Sequence, residues 1–114
     1  MERTLNFNTL QRPTLLLTMP DEGQTQIKVC TPTEALVEEL TRVAPQLEAT
    51  VKNNDAEAIA AIYVLAARLM NCNRSFISVT VQDLRDKYKL DLEALIVFFG
   101  AYVDFINEVT NAKN

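Results

Sequence analysis

The side chains able to do chemistry in this chain are few and poorly placed for it. Glu34 and Glu38 stand four residues apart, as do Asp104 and Glu108. On a helix such pairs share a face and could hold a cation or work as acid and base. The same spacing describes a solvated acidic face, which is the expectation here. Asp83, Asp86 and Asp91 also lie close together, but Arg85, Lys87 and Lys89 interleave with them. The alternating ligands and central glycine of a calcium loop are missing. Histidine is absent, which removes His-based nucleophilic and metal sites. Cys30 and Cys72 are the only cysteines, too few for a zinc site. They could meet in space, and reduced, buried thiols are expected. Gly23 and Gly100 are the only glycines, so no phosphate-cradling loop or dinucleotide fingerprint exists. No catalytic residue, metal or cofactor is expected, and the chain reads as non-enzymatic.

Composition narrows the partners. A chain of 114 residues is expected to form one domain with a genuine core. Hydrophobic residues make up 48% and charged residues 23%, as in an ordinary globular protein. A net charge of −4 argues against nucleic acid, which needs clustered Lys and Arg. The densest basic group, Arg85, Lys87 and Lys89, reads as a solvated helix face. The start, MERTLNFNTLQRP, lacks the apolar core of a signal peptide. The longest apolar runs, 58–67 and 94–103, are about half of the ~20 residues that span a bilayer. A cytoplasmic protein with no membrane segment is expected.

These side chains would be positioned by an N-terminal β-region, 1–30, and a helical region, 31–114. Leu5 and Phe7 alternate with polar neighbours, a weak signal for a first short strand. PTLLLTM, the turn PDEGQ and TQIKVC then read as a β-hairpin over 13–30. Gln26 and Lys28 fall on one face and Ile27 and Val29 on the other. Thr31 as N-cap, Pro32 at the first helical position and Glu34 completing a capping box predict a helix start. Its apolar stripe runs through Leu36, Leu40, Leu47 and Val51, with a kink or break near Val43–Ala44 caused by Pro45. Asp55 caps a helix over 56–70 that is rich in alanine and should be central. The stretch 75–79 reads as a short β-like link. Thr80 and Asp83 form a second box over 81–88, and Asp91 caps the last helix. The fold class is α+β: a β-hairpin, extended to three short strands if 4–8 joins it, followed by a bundle of three to four helices.

The closing helix carries more apolar surface than one core contact needs. Leu92, Leu95, Ile96, Phe99, Tyr102, Val103, Ile106 and Val109 form one stripe. Ala94, Val97, Phe98, Ala101 and Phe105 form a second. A helix apolar most of the way round is either central in its fold or covered by a partner. The second stripe therefore has two readings: internal packing against the Ala-rich helix and the hairpin, or docking of another chain. On the docking reading the partner-binding residues are Val97, Phe98, Ala101, Tyr102 and Phe105. The hairpin edge could likewise take a strand from a partner or a second copy, or be blunted by Lys28 and Pro13.

The order LNFNTLQRPTLLLTM, then TPTEALVEEL, then LRDKYKLDLEALIVFFGAYVDFINEV resembles the small tail-assembly proteins of long-tailed phages and prophages of Gram-positive bacteria. The closing match lies on Asp91, Leu92, Glu93, Leu95, Phe98, Tyr102, Phe105 and Ile106. The resemblance implies a chaperone that binds the aggregation-prone tape measure protein and recruits tail-tube subunits, with self-association along the rod. A structural tail component, such as a connector or completion protein, is the alternative, or a protein-interaction module with another partner.

Overall fold

The structure, a computed structural model, describes residues 2–3 and 13–112. The Leu5–Phe7 strand expected from alternation lies outside the described residues. A two-stranded antiparallel hairpin comes first: β1 (Leu15–Thr18) and β2 (Gln26–Val29), with Leu15 opposite Val29 and Leu17 opposite Ile27. Alternation places these four side chains on one face. Ile27 and Val29 are fully buried, whereas Leu16 and Lys28 point outward. Met19 N–H donates to Thr25 O at 2.8 Å, so the connection is the 20–24 loop. Asp21 organises that loop by accepting from Thr25 N–H at 2.8 Å and Thr25 Oγ1 at 2.6 Å. The Thr25 hydroxyl, then the Thr25 amide, hold its carboxyl below the usual aspartate value. The left-handed residue of the turn is Gln24, at φ 47°, and not the adjacent Gly23.

Helix α1 (Glu34–Val43) begins two residues later than its sequence suggests. Thr33, not Thr31, is the N-cap, and its Oγ1 accepts from Leu36 N–H at 3.3 Å. Upstream, Cys30 N–H bonds to Cys72 O at 2.6 Å, and the chain stays non-helical from there to Thr33, whose backbone is extended at φ −66°, ψ 161°. Pro45 acts as expected: α1 ends at Val43, a 3₁₀ turn covers Ala44–Gln46, and α2 (Leu47–Asn53) follows. Asn54 closes α2 in the left-handed conformation, φ 51°, which asparagine tolerates better than most side chains.

Helix α3 (Ala56–Met70) starts at Asp55, whose carboxylate accepts from Glu57 and Ala58 N–H. It packs against α1, α2, β2 and α4 (Leu92–Ala112) and buries Ile62, Leu65, Ala66, Leu69 and Met70. It is central as expected, with one solvent strip carrying Ala61, Val64 and Arg68. At that strip Arg68 pairs with Glu39 at 2.7 Å. The Thr80–Asp83 box forms in both directions, at 3.0 and 3.1 Å. The turn it opens is π-helical over Asp83–Lys87, not α-helical. It buries Leu84 and is followed by the buried Tyr88.

Gly100 sits mid-helix in α4, and a Cβ built there meets nothing within 4 Å. Glycine in a helix interior is roughly 0.5–1 kcal/mol worse than alanine. Gly100→Ala is therefore expected to stabilise the protein by about that amount, read as a higher urea midpoint with an unchanged slope.

Candidate protein-binding surface

The polar groups that could do chemistry are not assembled. Glu34, Glu38, Asp104 and Glu108 all face solvent. Among the described residues no group of three or more Cys, Asp or Glu side chains is placed to hold a metal. Arg85 lies over the Tyr63 ring at 4.4 Å and Lys87 over Tyr88 at 5.2 Å. Each cation sits against a largely buried ring. No helix among the described residues is long and apolar enough to cross a membrane.

The five residues singled out on the closing helix separate into two groups. Phe98, Tyr102 and Phe105 are buried, at 8%, 0% and 7% exposure. They form a run of edge-on aromatic contacts, Phe98–Tyr102 at 5.5 Å and Tyr102–Phe105 at 6.0 Å. The Tyr102 hydroxyl donates to Cys30 O, tying the helix to the end of β2. Burial, and then the Cys72 and Cys30 thiols, push its phenol well above the usual tyrosine value. Val97, by contrast, is 68% exposed, and Ala101 is exposed beside it. The two apolar stripes thus merge into one broad core face, Leu95, Phe98, Phe99, Tyr102 and Phe105. At about 100° per residue, Phe98 and Phe105 project close to Leu95 and Tyr102, whereas Val97 turns away.

Val97, Phe98 and Ala101 nonetheless help to line one groove. Its other walls are Leu16, Leu17 and Thr18 of β1, with Met19, Met70 and Leu90 nearby. The groove holds about 280 Å³ and none of its lining residues is charged. That is just under the ~300–1,000 Å³ of small-molecule pockets and suits a few apolar side chains of another protein. Leu16 at 50% exposure and Val97 at 68% stand on opposite rims. Two further apolar depressions, of about 270 and 360 Å³, run along the opposite flank of α4. They are lined by Val37, Pro45 and Ile106, and by Leu47, Ile96 and Gly100 respectively. The second includes the charged Glu48 and Asp104, the first is uncharged like the β1–α4 groove, and neither has a strongly exposed apolar rim.

The two hairpin edges differ. The outer edge of β2 is taken: Arg74 N–H donates to Lys28 O at 2.9 Å, and Lys28 N–H to Ser75 Oγ at 3.0 Å. Among the described residues nothing pairs with the outer edge of β1. That strand, LLLT, carries no charge. Lys28 lies on the other strand and does not blunt this edge.

One exposed apolar residue escaped the sequence reading. Phe76 is 99% exposed and has φ 57°. A bulky side chain in the left-handed region is an outlier. The link around it is tightly built. Asn73 Oδ1 accepts from Ser75 and Ile77 N–H, and Asn73 Nδ2 donates to Met70 and Ile77 O. Asn71 bonds to both the N–H and the C=O of Val79, at 2.6 and 2.8 Å. No strand forms over 75–79, where a β-like link was expected; asparagine side chains, not a ladder, hold the stretch. The signal in the sequence was the Asn71, Asn73, Ser75 spacing ahead of a lone phenylalanine.

Comparison of the chain with protein-family models, curated proteins and solved structures finds no match to any of them.

Phe76 holds a conformation that costs about 1–2 kcal/mol for an ordinary side chain. Phe76→Asn is expected to raise stability by about 1 kcal/mol, measured by chemical denaturation. Phe98→Asp places a carboxylate in the core and is expected to destabilise by about 3–5 kcal/mol.

Proposed function

We propose that this chain is a non-enzymatic, protein-binding subunit whose contact surface is the groove between β1 and α4. One observation carries the reading. An uncharged apolar groove opens between Leu16 and Val97, and both rim residues are left largely exposed. Isolated exposed apolar residues are ordinary; two on facing rims of one apolar groove support a contact surface there. The groove suits an amphipathic helix that inserts two or three apolar anchors.

The resemblance to phage and prophage tail-assembly proteins supplies the client. The chain chaperones the tape measure protein in the host cytoplasm during assembly and recruits tail-tube subunits around it. A tape measure is a long helical rod with an apolar stripe, the shape such a groove accepts. The net charge of −4 keeps the assembly soluble while the stripe is covered. The uncharged outer edge of β1 offers a second contact, through which neighbouring copies could pair along the rod.

The test pairs a groove variant with a stability control. Val97→Glu combined with Leu16→Thr changes two exposed rim residues and should leave the unfolding midpoint nearly unchanged. Binding to a tape-measure helical fragment, followed by fluorescence anisotropy, is expected to weaken at least about tenfold. A folded double variant that binds the fragment as tightly as the unaltered chain would remove the groove from the account. Failure of the unaltered chain to bind would remove the tape measure as client.

A further inference from the structure

The two cysteines lie farther apart in sequence than any hydrogen-bonded pair of the hairpin, yet the fold places them opposite each other. Val29 and Asn73 form an isolated antiparallel bridge. On one side of it Arg74 N–H donates to Lys28 O at 2.9 Å; on the other Cys30 N–H donates to Cys72 O at 2.6 Å. That register sets Cys30 across from Cys72, and the ladder stops there: Cys72 N–H turns back to Leu69 O at 3.1 Å, and Cys30 O accepts from the Tyr102 hydroxyl. Opposed residues project to the same side of a strand pair. Opposed residues of an antiparallel pair stand about 4.5–5.5 Å apart at Cα, within the ~4.4–6.8 Å that a disulfide bridges. Both cysteines are free and half-buried. The Cys72 thiol rests against Arg68 O at 3.7 Å. Burial first, and then the Cys30 sulfur beside it, push the Cys72 thiol up, while the Arg68 guanidinium pulls it down. No other cysteine competes in the chain.

We propose that Cys30 and Cys72 form a redox-active dithiol that closes into an intramolecular disulfide by exchange with a small-molecule disulfide such as oxidised glutathione. The step balances. One cysteine, as its thiolate, attacks a sulfur of oxidised glutathione, forming a mixed disulfide and releasing one glutathione thiolate. The second cysteine loses its proton and attacks the protein-side sulfur, and the second glutathione leaves. Two protein thiols are oxidised and one glutathione disulfide is reduced to two thiols. The new bond joins the end of β2 to the turn that follows α3, closing the 30–72 loop. Because Leu16, Leu17 and Met70 all line the groove, the staple fixes β1 and the end of α3 relative to one another. The proposal is independent of which client the groove binds.

The full-length chain is equilibrated with mixtures of reduced and oxidised glutathione, quenched with acid and weighed by intact-mass spectrometry. The expected product is a monomer lighter by two hydrogens, with no thiol titratable under denaturing conditions, restored by dithiothreitol. Its unfolding midpoint is expected to rise by about 10 °C, since the closed loop is long. Cys30→Ser and Cys72→Ser, each singly, should lose both the mass change and the midpoint shift while folding normally. Glutathione adducts that persist on both cysteines, disulfide-linked dimers, or two free thiols under oxidising mixtures would each overturn the proposal.

Discussion

The fold depends on covering α3. Between Glu57 and Arg68 its one polar side chain is Tyr63, whose hydroxyl donates to Leu90 O at 2.9 Å. A helix of this kind has no stable existence in water and must be enclosed. The hairpin, α1, α2 and α4 are arranged around it, and each contributes the face its own periodicity makes apolar. Burying Ile62, Leu65, Leu69 and Met70 alone contributes on the order of 6–12 kcal/mol before entropy is counted. Several covering elements are short, and an isolated hairpin is marginal in water. Their stability is therefore largely borrowed from α3.

That arrangement also explains the groove. The hairpin reaches α3 through β2, whose Ile27 and Val29 are fully buried. Strand β1 lies one strand further out, with alternating half-buried and exposed residues. Helix α4 packs on α3 and turns its buried Leu95, Phe99 and Tyr102 inward, so its exposed Val97 edge faces away from the core. The space between β1 and that edge is left with apolar walls and no element of the described chain inside it. The unfilled space follows from how each element meets α3, and its position needs no special sequence feature.

Local signals were the legible part of the sequence. Asp55, Asp91 and the Thr80–Asp83 box mark their turns because a side chain satisfies amide groups only a few residues away. Pro45 is legible for the same reason: its effect is confined to one turn. The alternation in 13–30 gave the hairpin and its inward face. The misread features are those set at a distance. The helix cap lies at Thr33 rather than Thr31, after the stretch in which Cys30 is tied to Cys72. The second stripe of α4 was divided between core and surface by where α3 and β2 happen to lie, so Phe98 and Phe105 went inside and Val97 stayed out. Phe76 was missed because the stretch around it is held by the Asn71 and Asn73 side chains in place of the short β-like link expected over 75–79.

The central claim is that the face between β1 and α4 is the contact surface. Backbone amide chemical-shift mapping, with a tape-measure helical fragment titrated into the isotopically labelled chain, tests it most directly. The claim predicts that the saturating shifts gather on Leu16, Leu17, Met70, Ala94, Val97 and Ala101. Shifts gathered instead along Val37, Leu40, Pro45 and Ile106, on the opposite flank of α4, would contradict it.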